Sequence, residues 1–172
     1  EQLCSEQHVS LPLFTLISRV YIQTDYYPSI EELRQCPMTD ILQYLQQSHE
    51  DYLENKFPHI EQHFNTLLEP MEKKYSTLIV NFYKEFKKEV VNHFQYEEKV
   101  VFPYMKQILS ENETDNGEHH HRSAFQQQHD DIEDTLNDLT NLLLKYIPAE
   151  VSSSERVDML LDMYALSNDI GK

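Results

Sequence analysis

His93-Phe94-Gln95-Tyr96-Glu97-Glu98-Lys99-Val100-Val101-Phe102-Pro103 places an imidazole and a carboxylate four residues apart. Around that pair Ile79, Phe82, Phe86, Val90, Val100 and Tyr104 recur at steps of three and four, so one helix face is apolar except at His93 and Glu97. A face of this kind is built for a core, and an uncompensated carboxylate in a core costs several kcal/mol. A metal ion compensates it directly, because neutral imidazole and carboxylate both donate to a cation that a helical bundle can enclose.

Two other stripes carry the same irregularity. His49 interrupts a face marked by Leu42, Leu45, Tyr52, Phe57, Ile60 and Phe64, and His129 interrupts Phe125, Ile132, Leu136, Leu139, Leu143 and Tyr146. One such histidine is more often a hydrogen-bonded core residue than a ligand. Three helices that each yield an apolar position to histidine, one with glutamate at i+4, point instead to a metal site formed by His49, His93, Glu97 and His129. Imidazole and carboxylate without thiolate suit iron or manganese, with zinc competing on affinity. His49 lies 21 residues before Pro70 and His93 lies 23 after it, so a hairpin turning there brings them to one height. His129 reaches that layer only if the Ser110 to Glu118 loop climbs the bundle first.

The periodicity predicts an all-α chain. A short helix covers Ser10 to Gln23, and Pro28 to Met38 reads as a connector. A long helix capped by Thr39-Asp40 and bent by Pro58 ends near Leu68-Glu69-Pro70. A second covers Lys73 to Leu109, bent or tightened by Pro103, and a third runs to Ile147-Pro148. A last helix is capped within Ser152 to Ser154 and faces the core with Met159, Met163, Leu166 and Ile170. The expected architecture is an antiparallel up-down-up-down four-helix bundle over residues 39–172, preceded by a short helical segment and connector over 1–38. After Ile170 the next inward position falls one or two residues past Lys172, so the last helix reads as truncated.

Composition agrees: two glycines and seven prolines leave little material for hairpins, while 40% hydrophobic and 11% aromatic content supports a packed core. Thirty acidic against 14 basic residues give a net charge of −16, which argues against direct binding of nucleic acid or an anionic membrane. No apolar run approaches the roughly 18 residues that cross a bilayer, and no basic-then-apolar leader opens the chain, so it reads as soluble and cytoplasmic. Cys4 and Cys36 fit neither a disulfide framework nor a metal motif and read as ordinary thiols.

The remaining polar residues carry weaker signals. His59 and His63 form an i, i+4 pair beside Pro58, more simply a surface feature than a separate site. His119-His120-His121 would scavenge nickel or zinc. Glu133, at i+4 from His129, flanks its seam as a candidate second carboxylate. Glu98, Asp130 and Asp131 read as solvent-facing or as hydrogen-bond partners of ligand imidazoles, and Tyr52, Tyr96 and Tyr104 as core or boundary aromatics.

At His49, at His93-x-x-x-Glu97 with the trailing Phe102-Pro103, and at Gln128-His129-Asp130-Asp131, the chain resembles the hemerythrin-like, HHE cation-binding domains. Within them it looks most like the RIC (repair of iron centres) di-iron proteins. The likeness runs from about residue 39 to the end, and Leu3-Cys4-Ser5-Glu6-Gln7-His8-Val9-Ser10 is similar to the tail of that group's small preceding domain. The resemblance implies a non-haem di-iron centre with His49, His93 and His129 as terminal ligands and Glu97 as a bridging carboxylate. It also implies a role in iron–sulfur cluster repair or in the response to nitric oxide and oxidative stress. Two departures stand out: the group's N-terminal Cys-Cys pair is absent, and its further His-x-x-x-Glu would align just after Lys172. One metal, or none, is therefore expected in this fragment where the complete domain holds two. The partners expected are a small diatomic ligand, O2 or NO, or iron–sulfur proteins, with a homodimer also compatible. Oxygen or redox sensing, and a metal-free helical interaction domain, are the competing readings.

Overall fold

The computed structural model describes residue 4 and residues 10–23, 26–111, 118–149 and 151–170, the side chains of 108–111 and 118–128 excepted. Among these residues all regular structure is helical. The chain divides into two compact units at Glu50 and Asp51.

The first unit contains α1 (Leu11–Ile22), α2 (Ile30–Leu33) and α3 (Met38–Asp51, which crosses the division). Ser10 caps α1, its hydroxyl accepting from the Leu13 amide, and Leu13 and Leu16 pack with Cys36 in a small core. The expected connector holds a one-turn helix, because Ser29 and Glu32 close a reciprocal capping box around α2. α3 begins at Met38, before the Thr39-Asp40 cap that the sequence suggested, since the Pro37 carbonyl already accepts from the Asp40 and Ile41 amides.

The second unit comprises α4 (Phe57–Leu68), α5 (Lys73–Tyr96), α6 (Phe102–Glu111), α7 (Glu118–Tyr146) and α8 (Ser153–Ile170). α5 packs on α7, α7 on α8, and α4 on α8. Their shared core includes Phe57, Ile60, Phe64, Ile79, Phe86, Val90, Ile132, Leu136, Leu139, Leu143, Met159 and Met163. These are the positions at helical spacing that the stripes selected, which is why burying them joins the helices along one seam. Tyr75 stacks on Tyr146 where α5 begins and α7 ends, the ring centres 4.6 Å apart. The α7–α8 turn is held by Arg156, which donates to the Pro148 and Val151 carbonyls, and Ser152 and Glu155 form a capping box as α8 starts.

Two π-helical turns, Tyr52–Lys56 and Glu97–Val101, each stand immediately before a Phe-Pro step. A proline inside a helix lacks the N–H for the i−4 carbonyl, and its ring crowds that oxygen. For Pro58 and Pro103 the crowded carbonyls belong to Glu54 and Lys99, inside the π turns, and widening the turn relieves the clash. The Phe57 and Phe102 amides accordingly reach back five residues, to the Tyr52 and Glu97 carbonyls. Pro103 therefore widens the helix where bending or tightening was expected. The extra residue also turns the inward face: Phe102 is buried, and Val100, assigned inward by strict α-helical spacing, is 39% exposed.

Candidate metal centre

His93 occupies the last turn of α5, and Glu97 opens the π turn that follows. Four residues of α-helix put the two side chains one above the other, with Nε2 of His93 3.5 Å from a carboxylate oxygen of Glu97. His129 enters from α7, its ring meeting that of His93 edge-on with centroids 4.5 Å apart. The sequence made His129's height conditional on the preceding loop, and the structure brings it into the His93 layer. One donor atom from each of His93, Glu97 and His129 lies within 4.8 Å of the other two.

Burial gives this trio its chemical character. His93 and Glu97 are 6% and 8% exposed, and His129 is partly buried. Burial, helped by the adjacent His93, pushes the His129 pKa below its ordinary value, against smaller opposing effects of Glu97, a hydrogen bond to the Ile170 backbone and Asp130. The neutral imidazole that results is the ligating form. A metal-binding imidazole commonly anchors its second ring nitrogen on a backbone carbonyl, which matches the bond to Ile170 at the end of α8. Two imidazoles with one carboxylate in a water-poor layer fit a divalent first-row cation, whose charge meets the one formal negative charge of the trio.

His49 is buried near the end of α3 in the first unit. Glu133 is partly buried on α7 without joining the cluster, and Glu98, Asp130 and Asp131 are exposed. The side chains of Gln128 and His119-His120-His121 lie outside the described residues. Tyr52 is buried, its ring packing edge-on against Phe57 and Phe94. Sequence reasoning missed the π turn that carries Glu97, although Phe-Pro beginning five residues beyond the glutamate of a helical His-x-x-x-Glu was the available signal. It also passed over Asp162, which joins His59 and His63 in a second group of donors.

No helix among the described residues is long and apolar enough to cross a membrane. Comparison with curated proteins and with solved structures found no match. Residues 40–168, most of the chain and the span holding all four candidate ligands, match the family model of the hemerythrin HHE cation binding domain, and the chain belongs to that family.

Proposed function

We propose that this chain is a non-haem iron protein whose metal is held by His93, Glu97 and His129, with His49 as a further ligand. The observation that carries the reading is the convergence of two imidazoles and a carboxylate from α5, its π turn and α7 in one buried layer. His49 rests on its place in an apolar stripe and on the likeness to RIC proteins. An antiparallel four-helix bundle is the frame we assign to the domain, and a di-iron centre with Glu97 as bridge is the complete form of the site. Iron–sulfur cluster repair, or the response to nitric oxide and oxidative stress, is the biological role we infer from the same likeness.

Within this reading the chain's own residues have distinct tasks. His129 is kept neutral and anchored on Ile170, so its ring faces the cation with little reorganisation. Glu97 supplies the negative charge that favours a cation over water in the layer. The apolar positions next to the trio, Val90 and Ile132, restrict solvent. Bound iron supplies electron transfer and exchangeable coordination positions suited to a diatomic molecule.

Metal content and absorption of anaerobically purified protein test the reading. Glu97→Gln, which keeps shape and removes charge, is expected to lower iron affinity at least tenfold, a loss of a ligand being no milder than loss of its supporting hydrogen bonds. His93→Leu separates the metal reading from a metal-free interaction domain. With iron supplied, the substitution lowers stability if the metal is native to the site, and raises it if His93 is only a buried polar residue. Unchanged iron uptake in both variants would overturn the assignment.

A further inference from the structure

A second set of donors stands on the solvent side of the α4–α8 contact, away from the buried layer. His59 and His63, one turn apart on α4, hold their ring centres 4.4 Å apart and face Asp162 of α8. Nδ1 of His63 lies 2.6 Å from one carboxylate oxygen of Asp162, and Nε2 of His59 lies 3.6 Å from the other. We propose that His59, His63 and Asp162 form a second cation site, for a late first-row divalent ion of the zinc type, that fastens α8 to α4.

Four observations favour a cation over a plain ion pair. The His63–Asp162 contact alone would be a hydrogen bond, but it leaves His59 beyond hydrogen-bond distance of the same carboxylate while directed at it. An ion among the three donors draws that imidazole into a bond. Two imidazoles and one carboxylate are a three-ligand set that leaves a position for water, the pattern of open zinc sites. The helices carrying the donors are registered independently: Lys56, seven residues before His63, pairs with Asp169, seven residues after Asp162. The donors therefore sit on a scaffold already in place, which lowers the ordering cost of binding. Exposure is graded, from 16% for the Asp162 side chain through 32% for His63 to 58% for His59, so an ion can enter and leave from solvent through His59. Copper and nickel suit the same donors, with copper the tighter by the usual affinity order. The site is independent of the iron reading, since none of its residues belongs to the buried trio.

Zinc titration of the full chain tests the proposal, in a background of His119→Gln, His120→Gln and His121→Gln that removes the histidine run. Iron content is measured in parallel. The expected result is one zinc equivalent whose affinity falls at least tenfold in His59→Gln and in Asp162→Asn, with iron content unchanged in both. The imidazole NMR signals of His59 and His63 should shift together as that equivalent fills. His59 is exposed enough that its replacement removes a ligand without disturbing packing. Zinc uptake that survives both substitutions, ring signals that do not move, or no uptake beyond what Glu97→Gln abolishes would each overturn the site. A zinc equivalent lost with His59→Gln while Glu97→Gln loses iron alone would show two separate centres.

Discussion

Glu97 and Glu32 are both carboxylates at helix ends, yet their surroundings give them opposite roles. Glu97 sits in a layer where charge needs a counter-charge, whereas Glu32 is on the surface and closes a capping box. The Ser29 backbone N–H, followed by side-chain donors that include the Ser29 hydroxyl, holds the Glu32 pKa down at about 2, against an ordinary value of 4.5. A depressed carboxylate pKa contributes stability that is complete above the unfolded value and is lost as pH falls through the folded one. α2 should therefore keep its cap at neutral pH, lose it progressively below about pH 4.5, and be uncapped once the pH has passed below 2. An NMR titration of the Glu32 carboxylate with amide exchange at Ser29 measures this, and a midpoint near 4.5 would refute it. At this scale the sequence was most informative where a polar residue broke an apolar rhythm, as at His93, Glu97 and His129. It was silent where partnership depends on two helices meeting, as for Asp162 with His63.

Helices were legible because their apolar steps are long and regular, and the stripes on α4, α5, α7 and α8 became the core. The two π turns were not, since three-and-four spacing assumes one constant twist. Val100 shows the error: strict spacing put it inward, and the extra residue of the π turn gave that place to Phe102. Pro103→Ala restores the missing N–H and removes the ring, so the segment can close to α-helix. Without iron the substitution should stabilise the fold by about 1 kcal/mol, less than the ~3 kcal/mol proline costs in an undistorted helix, because the π turn already absorbs the clash. Iron affinity should fall at the same time, since Glu97 opens the turn that would be remodelled. Denaturation of the iron-free variant and iron titration of both proteins check the two halves, and a variant that binds iron as tightly as the parent would refute the link.

Across the whole chain the apolar seam of the second unit carries most of the burial, and Leu139, fully enclosed on α7, lies at its middle. Leu139→Ala should cost about 2–5 kcal/mol through lost transfer energy and the cavity left behind. Urea unfolding at constant m-value measures it, and a loss under about 1 kcal/mol would mean the seam collapses around the gap. All-helical architecture could be read from periodicity, and so could the four proposed ligands as breaks in apolar stripes, His93, Glu97 and His129 being the three that converge in one layer. The division at Glu50 could not, because α3 runs through it and no glycine-rich or proline-rich break marks the place. The π turn at Glu97 also bears on how the gene can change. One residue more than an α-helix requires is stored there, so a one-codon deletion between Glu98 and Val101 has a ready structural solution in ordinary α-helix. The same deletion one turn earlier, between Phe94 and Tyr96, would swing Glu97 away from the His93 face by about 100°. A change of one residue in this helix is thus absorbed most easily in the stretch just after Glu97, where it alters the surroundings of that carboxylate while leaving the core seam in register.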